Sequence, residues 1–127
     1  MFHGRVDESI GELKQELAVN PNFSMAWYRL GDAYVRQDQV DTAIVNLQRA
    51  VWLNQNFSGP YILLGKCYYK KHDLPAAERF LRQALELDPK NHMATYLLGQ
   101  TLVASGRTEE GKDLLKKSAG MLKDPTE

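Results

Sequence analysis

The chain has 127 residues, 43% hydrophobic and 25% charged, an ordinary composition for one globular domain. Its sixteen basic and sixteen acidic side chains cancel, so no net field draws in nucleic acid or an anionic membrane. No apolar run approaches the roughly 20 residues that span a bilayer, the opening MFHGRVDESIG lacks a signal peptide's apolar core, and the lone Cys67 excludes an internal disulfide. These features favour a cytoplasmic setting, and neither a membrane nor a nucleic-acid partner is expected.

In chain order, the first predicted element is a helix within residues 4–23, with Val6, Ile10, Leu13 and Leu17 at helical spacing and Pro21 closing it. Next comes a stretch of about fourteen residues with Trp27, Leu30, Ala33 and Tyr34 on one stripe. A polar break, RQDQ, separates it from a second helical run, VDTAIVNLQRAVWL. The same order recurs 34 residues later, with Tyr61, Leu64, Cys67 and Tyr68, the break KKHD, and LPAAERFLRQALEL. It recurs again with Leu98, Thr101 and Leu102, the break ASGR, and a helix running to Leu122. Asp38, His72 and Gly106 share one place in the breaks, and all three tolerate a positive φ better than most residues. That place is expected to end one helix and turn into the next.

Small residues also keep the 34-residue register: Gly31, Gly65 and Gly99; Ala43, Ala77 and Gly111; Ala50, Ala84 and Ser118. A glycine inside a helix costs roughly 0.5–1 kcal/mol relative to alanine, so three at one position imply a partner helix that leaves no room for a Cβ. Pro89 ends the second repeat as Pro21 ends the opening helix, whereas Gln55 stands at that place in the first repeat. Its turn must be held some other way.

A 34-residue helix–turn–helix unit with Trp-x-x-Leu-Gly-x-x-Tyr, a later Ala and a closing Pro resembles the tetratricopeptide repeat. WYRLGDAY carries that signature in full, and the second copy keeps Tyr61, Leu64, Gly65, Tyr68, Ala77, Ala84 and Pro89. The third departs at Thr95, Gly111, Ser118 and Lys123, as terminal repeats often do. The resemblance implies an all-α, right-handed superhelical solenoid of antiparallel helix pairs, with about seven helices. The expected division is a single domain over 1–127: 4–23 as the second helix of a truncated repeat, then repeats at 24–57, 58–91 and 92–125. The face of the opening helix that carries Val6, Ile10 and Leu13 then lacks a partner. It must be covered by missing sequence, by the short N-terminal segment or by another subunit, which makes a homo-oligomer one expectation.

No chemistry is legible. His3, His72 and His92 lack metal-ligand spacing, no phosphate loop exists, and Cys67 sits on an apolar stripe with nothing to stabilise a thiolate. No catalytic residue, metal or cofactor is expected. Trp27 and Tyr34 read as core, Trp52 and Phe57 as partly exposed, and the doublets Glu109-Glu110 and Lys116-Lys117 as a solvated terminal helix.

Stacked helix pairs coil so that their first helices line the concave side. The free face of those helices is expected to carry Tyr28, Arg29, Asp32 and Arg36 in the first repeat. In the second it carries Ile62, Leu63, Lys66, Tyr69 and Lys70, and in the third Tyr96, Leu97 and Gln100. Ile62, Leu63, Tyr69, Tyr96 and Leu97 form an apolar strip, and the cations outnumber Asp32. The expected function is a non-enzymatic interaction scaffold whose groove takes a peptide or helix with apolar anchors and some acidic character. The alternative is a self-assembling or structural segment of a longer repeat protein. Some tetratricopeptide domains clamp acidic chaperone tails with Lys and Asn, but the matching places here hold Tyr28, Asp32, Leu63, Met93 and Leu97, which disfavours that ligand.

Overall fold

The computed structural model describes residues 2–122, with side chains from residue 4. The expected end of the third repeat at 125, and Lys123, lie outside these residues. The described residues form seven helices: α1 (Phe2–Val19), α2 (Ser24–Arg36), α3 (Val40–Leu53), α4 (Ser58–Lys70), α5 (Leu74–Leu87), α6 (His92–Ala104) and α7 (Thr108–Met121). α2 packs with α3, α4 with α5 and α6 with α7. The pairs stack through α3 on α4 and α5 on α6, while the first helices also touch one another, α2 on α4 and α4 on α6. α1 packs on α2 just as α3 packs on α4. The fold is an all-helical solenoid.

The turns inside each pair are alike for a physical reason. Asp38 and His72 have φ of 59° and 62°, and Gly106 has 90°. In the first pair Gln39 N–H donates to Tyr34 C=O and Asp38 N–H to Val35 C=O, both at 2.9 Å. The same two bonds recur from Asp73 and His72, and from Arg107 and Gly106. This is the Schellman arrangement, which satisfies the last helical carbonyls at the cost of one left-handed residue. Between pairs, Asn91 caps α6 by accepting from Ala94 N–H at 2.9 Å. The turn without a proline is held by Tyr61, whose hydroxyl donates to Gln55 C=O at 3.1 Å.

The glycines mark where helices cross. A Cβ on Gly31 would stand 2.6 Å from Leu47 Cγ, one on Gly65 2.5 Å from Leu81 Cγ, and one on Gly99 2.9 Å from Leu115 Cγ. Each leucine lies sixteen residues beyond its glycine, on the partner helix. At Gly111 the obstruction includes backbone: beside Val103 Cγ2 at 2.6 Å stand Gly99 O at 2.7 Å and Val103 N at 2.8 Å.

The core runs along the stack in two clusters. Ile10, Leu13 and Leu17 of α1 are buried with Leu30, Tyr34, Leu47 and Leu64, while Tyr61, Ile62, Leu81, Leu97 and Leu98 form the second. The apolar face of α1 is thus covered in part by α2, and Val6 and Leu13 also line an open cleft beside it. Ile10 and Leu13 are buried within the chain and Val6 is half-buried, because α2 covers them. Trp27 and Tyr34 belong to the first cluster; Trp27 also donates its indole N–H to Pro21 C=O at 2.8 Å. Trp52 is exposed, whereas Phe57 is half-buried and meets Tyr28 edge-on, 4.8 Å between ring centres.

One contact between neighbouring pairs recurs in register. Gln37 donates to Asp7 at 2.5 Å, and 34 residues on Lys71 pairs with Asp41. Farther along, Glu78, Arg82, Arg107 and Glu110 close a ring of ion pairs between α5 and the start of α7. Glu110 is thus a bridge between pairs rather than a solvating charge alone.

Candidate functional groove

The free side of the first helices is narrower than helical spacing alone predicts. Ile62 and Leu97 are buried, at 9% and 7% exposure, and are not groove residues. The reason is the stacking of first helix on first helix. Position 62 faces the next pair, as its counterpart Tyr28 faces Phe57 and Gly59; a Cβ on Gly59 would lie 2.8 Å from the Tyr28 ring. Tyr96 takes the same position in the last pair, where no described helix follows, and it is exposed at 40%. Burial, then the charge of Asp32, raises the Tyr28 phenol above its ordinary pKa. That half-buried hydroxyl stays protonated.

Arg29, Asp32 and Arg36 do come together. With Arg5, Glu12 and Glu16 of α1 they line a cleft of about 440 Å³ between α1 and α2. Asp32 and Arg36 pair at 3.2 Å. Farther along, Leu63, Lys66 and Tyr69 are half-buried on α4, and Lys70 is exposed but held by Asp38 at 3.4 Å. At the far end Gln100 donates to the Tyr96 hydroxyl at 3.0 Å, and His92 stacks on the Tyr96 ring. Among the described residues Arg29 and Lys66 have no ion-pair partner. The surface thus changes along its length, from charged on α1 and α2, through mixed on α4, to neutral with exposed Met93, Tyr96 and Val103 on α6.

Sequence reasoning missed the contribution of α1. The signal was present: where the other second helices carry Ala50, Ala84 or Ser118 against their first helix, α1 carries Glu16. A carboxylate there suits a face turned to water or to a ligand.

Other chemistry is sparse. Cys67 is fully buried, and burial pushes its thiol up to about 11 against the smaller opposing pull of Lys70 and Lys66. Among the described residues no group of His, Cys, Asp and Glu is placed to hold a metal ion. No described helix is long and apolar enough to cross a membrane.

Helix pairs stacked in register around a shared core, with a mixed charged and apolar concave side, define a repeat scaffold of the kind used in protein–protein interaction. The family model described as anaphase-promoting complex, cyclosome, subunit 3 matches residues 36–118, and a tetratricopeptide repeat model matches residues 1–56. The first spans more than half of the chain, which belongs to that family of tetratricopeptide-repeat proteins. Among solved structures, one described as the crystal structure of MamA is similar at 25% identity, with a TM-score of 0.82, over 91% of this chain and 68% of that one. A second, MamA 41-end from Desulfovibrio magneticus RS-1, is similar at 23% identity, with a TM-score of 0.83, over 93% and 67% respectively. These likenesses concern the fold. No curated protein matches the sequence.

Proposed function

We propose that the concave side of α2, α4 and α6, closed at one end by α1, binds a peptide or helical segment of another protein that carries both acidic residues and apolar anchors. The observation that carries this reading is the pair of cations without ion-pair partners, Arg29 and Lys66, beside the incompletely covered Leu63, Tyr69 and Tyr96. Cations so placed steer and orient an acidic segment, and the tyrosines offer rigid contact area at low entropic cost. Arg36 and Lys70 contribute less, since Asp32 and Asp38 already engage them. In this reading the structural units are the helix of 4–23 followed by repeats at 24–57, 58–91 and 92–125.

The test is a selection of random peptides on the purified chain, followed by fluorescence polarisation of the enriched sequences. Enriched peptides should combine Asp or Glu with large apolar residues, and should lose at least about tenfold in affinity on Arg29→Glu/Lys66→Glu. Circular dichroism should show an unchanged fold. Enrichment of neutral or basic sequences, or an affinity that survives the charge reversal, would remove the proposal. A mass that grows with concentration in the absence of peptide would favour self-assembly instead.

A further inference from the structure

The 34-residue register exposes a vacancy on the opposite side of the molecule. Phe80 of α5 packs on the first helix of its own pair, α4, stacked on Tyr68 with 5.5 Å between ring centres and tilted against Tyr61 at 6.5 Å. Val51 of α3 belongs to the same cluster. One repeat later Leu114 takes that place, beside the same cluster as Leu85. One repeat earlier the place belongs to Asn46. Its amide turns back to donate to Thr42 C=O at 2.8 Å. A cleft of about 420 Å³ opens instead between α1 and α3, walled by Leu17, Ala18, Trp27, Leu30, Tyr34 and Asn46. Trp27, Leu30 and Tyr34 are the counterparts of Tyr61, Leu64 and Tyr68, the residues around Phe80. The aromatic walls are kept and the ring between them is missing.

We propose that this cleft receives a Phe-type side chain from a partner peptide, with an acidic residue next to it. The walls supply the ring's partners, since Trp27 and Tyr34 stand where Tyr61 and Tyr68 meet Phe80, and aromatic pairs gain beyond the area they bury. The rim supplies the charge. Lys14 is the only charged residue lining the cleft, and the Arg49 guanidinium lies 5.9 Å from the centre of the Trp27 ring. Neither cation has an ion-pair partner among the described residues, and no carboxylate lines the cleft. An acidic neighbour therefore complements the rim and a basic one is repelled. Trp27, Leu30 and Tyr34 occupy the side of α2 opposite Arg29, Asp32 and Arg36, so this site fills independently of the concave groove.

The probe is N-acetyl-Glu-Phe-amide, titrated into the Trp52→Phe protein so that Trp27 alone reports; Trp52 is 72% exposed and would otherwise add a background to the signal. The expected result is a saturable change in Trp27 emission that is absent with N-acetyl-Glu-Ala-amide. With N-acetyl-Lys-Phe-amide binding should be roughly two- to fivefold weaker. Asn46→Phe should plug the cleft and abolish the response, and Asn46→Leu, copying Leu114, serves if the larger ring prevents folding. A flat titration of the parent, an equal response to the Glu-Ala probe, or full binding by a folded plugged variant overturns the proposal. Equal affinity for the Lys-Phe probe overturns its acidic half. Failure of both plugged variants to fold would refute the register on which it rests.

Discussion

Glycine-to-alanine substitution should have three different outcomes in this chain, set by what the added methyl group meets. At Gly11 nothing lies within 4 Å, so Gly11→Ala should stabilise by about 0.5–1 kcal/mol through helix propensity alone. At Gly65 the methyl would press on Leu81, which is fully buried, with Cγ at 2.5 Å and Cδ2 at 2.6 Å. Overpacking of this kind costs about 1–3 kcal/mol, offset by about 1 kcal/mol of propensity, so Gly65→Ala should lose up to about 2 kcal/mol. Gly65→Leu should lose more. At Gly111 the methyl would meet Val103 Cγ2 first, and just behind it the carbonyl oxygen of Gly99 and the amide nitrogen of Val103, which move only if a helix moves. Gly111→Ala should therefore be the worst alanine of the three, at about 2 kcal/mol net or beyond. Thermal and urea melts followed by circular dichroism read this series, with about 2–8 °C in Tm for each kcal/mol. A double-mutant cycle isolates the contact: with Leu81→Ala in place the Gly65→Ala penalty should shrink by roughly 1–2 kcal/mol. Equal stabilities across the series, or zero coupling with Leu81, would refute the helix-pair register.

The left-handed turn residues give a second test: His72→Gly should stabilise by about 0.5 kcal/mol because φ is 62° there, while Gly106→Ala should cost about 1–2 kcal/mol. Melts that rank these two the other way would contradict the turn geometry. The Glu78 carboxyl feels burial pushing its pKa up, but hydrogen bonds and charge from Arg82 and Arg107 outweigh this and hold it below the ordinary 4.5. The unfolded chain then takes up the proton first on acidification, so the ring's stabilisation is complete above about 4.5 and lost as pH falls through the lower folded value. Glu78→Gln should cost up to about 1 kcal/mol at neutral pH and low salt, a deficit that shrinks in acid or high salt; one that ignores both would sink the electrostatic account. Cys67, fully buried with its thiol at about 11, should resist Ellman's reagent in the native protein and react once urea unfolds it.

The helix pairs, the left-handed turns at 38, 72 and 106, and the glycine crossings were legible because each obeys a local rule repeated at a fixed period. Ile62 and Leu97 were not. Reading a first helix as two faces ignores its third neighbour, the first helix of the adjacent pair, which takes part of the arc left to solvent. The burial of Ile10 and Leu13 escaped for a related reason, since α2 covers them from the side that α4 presents to α3. Glu16 of the charged cleft and Asn46 of the outer one each stood in plain register against their counterparts, Ala50 and Phe80. Their meaning depended on which neighbours those columns meet, and that is a property of the stacking.

The most direct test of the groove is amide chemical-shift mapping of the labelled chain with a selected acidic, apolar peptide. Shifts should trace Arg29, Leu63, Lys66, Tyr69 and Tyr96 along α2, α4 and α6 and leave the outer faces of α5 and α7 unchanged. Shifts confined to the second helices, or to the end of the stack beyond Tyr96, would contradict the groove.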